Sequence, residues 1–145
     1  MIYTNEVIIN SPIDKVVRLF DNTENMYEWM EGVQSHDFIK GEPGAVGSTM
    51  NMHFKVGKNS FDILETILEN NLPEVFAATY ETKYSKNTNS ISFVKVDEIS
   101  TKYFVETKVE TRGVMMKVMT FCMPNMFKKQ SQKYLDSFKD FVEKN

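Results

Sequence analysis

Apolar residues recur along this chain with two periods. From Ile2 to Thr111 they alternate with polar ones, the mark of half-buried strands. From Val114 to Glu143 the spacing turns helical, placing Met119, Met123, Met126, Phe127, Tyr134, Phe138 and Phe141 on one face. The pattern predicts a run of strands followed by one long helix. Pro124 falls inside that helix and is expected to kink it; the other reading starts a shorter helix there.

Ile2–Ile9 reads as the first strand. Asn10-Ser11-Pro12 ends it, with Ser11 placed to cap a helix and Pro12 suited to its first position. Val16, Val17, Leu19 and Phe20 form that helix's apolar face. Asp21-Asn22-Thr23 breaks it, and a second short helix runs to Trp29. Gly32 closes the pair, and Val33–Lys40 is the second strand. The glycine-rich loop Gly41–Gly47 leads into Ser48–Val56, which alternates like a strand. A phosphate-cradling loop needs a helix there, so this loop reads as a strand connection.

Further strands are predicted at Ser60–Leu68, Val75–Tyr84, Ser90–Val96 and Thr101–Thr111, with Lys86-Asn87-Thr88-Asn89 as a polar turn. In the last strand Tyr103, Val105, Thr107 and Val109 face one way and Lys102, Glu106, Lys108 and Glu110 the other. One face is therefore buried and one wet. Short connections make an antiparallel meander the simplest pairing.

The chain has 145 residues, no repeats and no linker, and reads as one domain, 1–145. Its net charge of −3 gives no field that would draw nucleic acid. Lys128, Lys129 and Lys133 read as a solvated helix face. Cys122, the single cysteine, rules out an intrachain disulfide, fits a reducing cytoplasm and reads as a small core residue. No signal peptide is expected from Met1–Glu6, and no apolar run is long enough to span a bilayer.

The element order is similar to that of the helix-grip fold. Ser11-Pro12-Ile13-Asp14-Lys15-Val16, followed by Phe20, Asp21, Asn22, Glu24 and Trp29, resembles the opening of small bacterial SRPBCC (START-like) proteins. That superfamily includes birch-pollen-allergen-like, polyketide cyclase/dehydrase and lipid-transport proteins. Gly41, Pro43-Gly44, Gly47-Ser48, Leu72-Pro73-Glu74 and Met123-Pro124 match its turns and the proline of its last helix. The resemblance implies an α+β fold: a seven-stranded curved antiparallel sheet wrapped around a long C-terminal helix, with two short helices between strands 1 and 2. It also implies an apolar cavity between sheet and helix, and a small hydrophobic or amphipathic ligand. It carries over no catalytic residue, because those vary among its subfamilies.

The polar chemistry is sparse. If Phe61, Ile63 and Ile67 face inward, Glu65 faces inward too, where its pKa would rise and it could act as an acid or base or anchor a ligand. The opposite register buries Leu64, Thr66 and Leu68 and turns Glu65 to solvent. Tyr80 and Tyr103 share the predicted inner faces, as ligand donors or as core. Met52 and Phe54 lie on the inner face of their strand, and Trp29 either closes the second helix over the sheet or borders the cavity mouth. Met119, Met123 and Phe127 are candidates for the cavity wall. His36 and His53 lack metal-site spacing, and His53 falls on the outer face of its strand. No catalytic triad and no cofactor motif is apparent. Three functions stay open: a carrier of a lipid, polyketide or aromatic molecule, a cyclase- or dehydratase-like enzyme using Glu65 or a tyrosine, and a protein-binding regulatory module.

Overall fold

The computed structural model describes residues 1–145. Seven strands form one antiparallel sheet: β1 Ile2–Ile9, β2 Val33–Lys40, β3 Thr49–Val56, β4 Asn59–Asn71, β5 Val75–Glu81, β6 Ser85–Asp97 and β7 Ser100–Thr111. Their spatial order is β1-β7-β6-β5-β4-β3-β2. Strands β2 to β7 are the expected meander, and β1 joins it beside β7. Between β1 and β2 lie α1, Ile13–Phe20, a 3-10 turn, Thr23–Asn25, and α2, Met26–Trp29. The turn is capped by Asn22, whose side chain accepts from the Glu24 amide at 3.1 Å.

Gly32 lets the chain leave α2 and enter β2. Its φ is +90°, and a Cβ there would lie 2.8 Å from Val56 Cγ2 and 3.1 Å from the Lys55 carbonyl oxygen. No side chain fits without moving the start of the sheet.

Four local expectations need correction. Ser11 does not cap α1. Its amide donates to the Ile9 carbonyl at 2.9 Å and its carbonyl accepts from Thr101 Oγ1 at 2.8 Å. Held against β7 in this way, it leaves Pro12 at the cap position and starts the helix at Ile13. The predicted turn Lys86–Asn89 is strand. The turn is made instead by Thr82, whose hydroxyl accepts from the amides of Tyr84 and Ser85, at 3.1 Å each.

The third correction concerns the C-terminal helix, which is broken rather than kinked. Helix α3 spans Val114–Cys122 and α4 spans Met126–Lys144. A residue before proline is driven out of the helical region, and Met123 has φ −132° and ψ 64°. The break frees α3 from the direction of α4. None of its residues is buried, and Val114, Met115 and Phe121 are 79 %, 79 % and 86 % exposed. Cys122, the fourth, is correspondingly exposed and not a core residue.

Helix α4 crosses the concave face beside β1. Asn5 Nδ2 donates to the Lys128 carbonyl at 3.1 Å and to Gln132 Oε1 at 2.9 Å, and the Tyr3 and Ser131 hydroxyls meet at 2.8 Å. Beyond these bonds Leu135, Phe138 and Val142 enter the main core with Ile9, Val16, Phe76, Ile91, Phe93 and Tyr103. A smaller core gathers Met26, Val33, Met50, Met52 and Phe54. Tyr80 packs against both.

Candidate functional site

The strand register arranges the inward side chains of the sheet in rows. One row runs Met50–Glu65–Tyr80–Asn87–Val109 across β3 to β7. The next runs Ile67–Ala78–Asn89–Thr107–Tyr3, ending on β1. A third holds Phe76, Ile91, Val105 and Asn5, and a fourth Phe93, Tyr103 and Val7. The face thus grades from small and polar to large and aromatic.

That gradient decides where the interior is full. Phe138 of α4 meets the rings of Phe20, Trp29 and Tyr103 edge-on, with centroids 5.8, 5.0 and 5.5 Å away. Phe20 reaches Phe76 and Phe93 at 5.6 and 5.2 Å. These rings form one aromatic cluster, and Phe20, Trp29, Phe76 and Tyr103 also border the cavity beside it. Over the first two rows the sheet offers Ala78, Asn87, Asn89 and Thr107, and α4 offers Ser131, Tyr134 and Leu135. Those side chains do not span the gap, and a cavity of about 400 Å³ remains. Seventeen of its 28 lining residues are hydrophobic, including Met26, Met30, Met50, Met52, Phe54, Ile63 and Ile91. Its volume and its mix of apolar wall with few polar groups suit a small-molecule site.

Glu65 belongs to this wall. Of the two registers open from sequence, β4 takes the one with Ile63, Glu65 and Ile67 inward, although Phe61 at its start is 39 % exposed and stacks on Phe54. Burial pushes the Glu65 carboxyl above the ordinary range; its interaction with the Tyr80 hydroxyl opposes this without cancelling it. Tyr80, its cross-strand partner, is pushed well up by burial and then by the neighbouring carboxylate. Burial also raises Tyr103. A carboxyl and a phenol are therefore both held toward their neutral, proton-bearing forms beside an apolar space.

Two carboxamide oxygens of the wall, Asn87 Oδ1 and Asn89 Oδ1, lack a hydrogen-bond partner, and Thr107 Oγ1 has only the Tyr3 hydroxyl for a neighbour. Thr107 is only 2 % exposed. The sequence reading missed all three as site residues. Asn87 and Asn89 were hidden by the turn-like composition of Lys86–Asn89, although they continue the alternation of Ile91 and Phe93.

The other candidates divide. Trp29, Met52, Phe54, Tyr80 and Tyr103 line the cavity. Trp29 lines the cavity and packs on Phe138 of α4 rather than over the sheet. Met119, Met123 and Phe127 lie outside the wall: the break at Pro124 carries α3 away, Met123 is 54 % exposed, and Phe127 is half-buried in the first turn of α4 without reaching the cavity. His53 pairs on the outer face with Asp62 at 2.8 Å, and the Tyr27 hydroxyl bonds His36 near the surface.

No family model matches the chain, and no curated protein matches it in sequence. Solved structures do match it in fold. Ara h 8.0201 superposes with a TM-score of 0.76 at 15% identity, covering 100% of this chain and 99% of its own. The Zhui aromatase/cyclase from Streptomyces sp. R1128 gives 0.77 at 10%, covering 99% and 93%. A START superfamily protein from Mycobacterium smegmatis gives 0.75 at 12%, covering 99% and 97%. Likeness at such identities speaks for the fold and leaves function to the site. On that ground the chain has the helix-grip fold.

Proposed function

We propose that this protein binds a small apolar or amphipathic molecule, a lipid, polyketide or aromatic, in the cavity between the sheet and α4. The observation that carries the reading is the hollow itself. Interiors normally pack to crystal density, yet about 400 Å³ stays open here beside an aromatic core. Burial of the ligand's apolar body would supply most of the affinity, at about 25 cal/mol per Å² before the costs of association. The fold is shared with an aromatase/cyclase and a START superfamily protein. Trp29, Met52, Phe54, Tyr80 and Tyr103 would contact the ligand. The setting proposed is cytoplasmic, with no nucleic-acid partner; the structure has no helix long and apolar enough to cross a membrane.

A second reading rests on Glu65 and Tyr80. A carboxyl held above its ordinary range beside a phenol, at an apolar wall, can pass a proton to or from a bound substrate. On this reading the protein is a cyclase- or dehydratase-like enzyme, with the cavity folding a flexible substrate against Glu65.

Native mass spectrometry of the purified protein, run beside an organic extract of it, tests the first reading. A stoichiometric adduct lost on denaturation is the expected result. A clean apo mass that stays clean after incubation with lipids and aromatics would overturn it. Turnover of an extracted compound by the wild type and not by Glu65→Gln would favour the enzyme.

A further inference from the structure

The wall of the cavity carries information about the charge of what it holds. Of its 28 lining residues none is Lys, Arg or His, while two are carboxylic: Glu65 inside and Asp21, exposed, at the opening. No cation acts on the Glu65 carboxyl; burial and Tyr80 are the only influences on it. An anionic head entering here would face a carboxylate with no compensating charge, in a setting where charge is costly to desolvate.

The uncharged groups point the same way. Asn87 Oδ1 and Asn89 Oδ1 are shielded from solvent and unpartnered, and Thr107 Oγ1 has only the Tyr3 hydroxyl for a neighbour. Asn87 sits in the cross-strand row of Glu65, and Asn89 and Thr107 in the row beside it. Buried polar groups are almost always satisfied, and leaving one bare carries a substantial penalty. Of the tyrosines at the wall, Tyr80 is engaged with Glu65 and Tyr134 with Gln130, while Tyr103 has no side-chain partner. The two carboxamide oxygens are left without a donor, so a head that both donates and accepts meets the Asn oxygens and the amide and hydroxyl donors beside them.

From this juxtaposition we infer that the cavity selects an amphiphile whose head donates hydrogen bonds and is neutral or cationic, a hydroxyl or an amine, and rejects carboxylates and phosphates. The inference rests on the binding function proposed above and narrows it. The apolar body lies along Met50, Met52 and Phe54, and the head reaches the Glu65–Asn87–Asn89 cluster. There a hydroxyl can donate to a carboxamide oxygen and accept from Thr107. An ammonium can donate to Glu65 and to a carboxamide together.

Three probes with one nine-carbon chain separate the possibilities: 1-nonanol, nonylamine and nonanoate. Trp29, the only tryptophan, borders the cavity and reports binding through its fluorescence. At about pH 8, nonylamine should bind at least about tenfold more tightly than nonanoate, the difference one charge-assisted hydrogen bond makes. Both probes carry a charge, so head hydration alone does not explain a gap of that sign. Glu65→Gln should remove most of the gap and leave nonanol within about threefold of its wild-type affinity. Asn89→Leu should weaken nonanol and spare the amine more, because Glu65 remains. Nonanoate binding as tightly as nonylamine, or a gap unchanged by Glu65→Gln, overturns the inference while the cavity still counts as a binding site. Binding of none of the three overturns this inference and the proposed function together.

Discussion

The two halves of the concave face are built on the same strands and have opposite interiors. On β6, Phe93 packs among the aromatic rings of the core, while Asn87 and Asn89 line an open space that Ile91 also borders. On β7, Tyr103 and Val105 belong to the core and border the cavity as well, while Thr107 lies in the second, small-residue row. Phe138 and Val142 of α4 fill the first half, and Ser131, nearer its start, does not fill the second. The packed half holds the fold; the hollow half gives up packing and sets Asn87, Asn89 and Thr107 in adjoining rows. Small polar residues at inward positions weaken a core, so their placement in adjoining rows is better explained by a ligand than by stability.

The largest effect should come from breaking the packed half. Phe138 is fully buried among five aromatic neighbours. Phe138→Ala should cost about 3–5 kcal/mol in denaturant unfolding. A loss under about 1 kcal/mol would mean that half is not packed as described.

In the hollow half the sign changes. Glu65 binds its proton more readily folded than unfolded. The folded chain therefore holds more protons over the window that begins near the ordinary value of 4.5. Stability from this group is present below that value and falls as pH rises toward the folded pKa. Glu65→Gln should match the wild type in acid and exceed it at neutral pH, by on the order of 1 kcal/mol. Parallel stability–pH curves for the two proteins would show that Glu65 is not held in the cavity wall.

Asn89→Leu and Thr107→Val remove polar atoms of the cavity wall. Each should leave stability unchanged or raise it, by up to about 1 kcal/mol, while weakening ligand binding. Destabilisation by more than about 2 kcal/mol would show that these groups hold the fold together. Smallest of all should be Phe121→Ser on α3. An 86 % exposed phenylalanine has little packing to lose, and the change in unfolding free energy should stay within about 0.5 kcal/mol.

How much of this contrast could be read from the residues follows from what each signal reports. Strand alternation gave β7 correctly, because Tyr103, Val105, Thr107 and Val109 are buried together. Local composition misled at Lys86–Asn89, where turn-forming residues sit in a strand whose inward positions face a void. For Glu65 the pattern allowed both registers, since Leu64 and Ile63 are equally apolar and pairing with Tyr80 is a long-range fact. Pro124 flagged a disturbance in the last helix, but whether α3 would stay on the sheet depended on packing that periodicity does not report. Cavity volume was illegible for a similar reason: it is what facing side chains leave unfilled, and that needs their separation.

The methionines offer the most direct test, because they sort by region. Of ten, Met26, Met30, Met50 and Met52 line the cavity, while Met115, Met116, Met119 and Met123 lie on or just after α3. Carbon-13 methyl-methionine NMR during titration with 1-nonanol would watch both sets at once. Saturable shifts confined to Met26, Met30, Met50 and Met52 are the predicted result. Shifts confined to the α3 methyls, or none at any methyl, would contradict a binding site inside the hollow half.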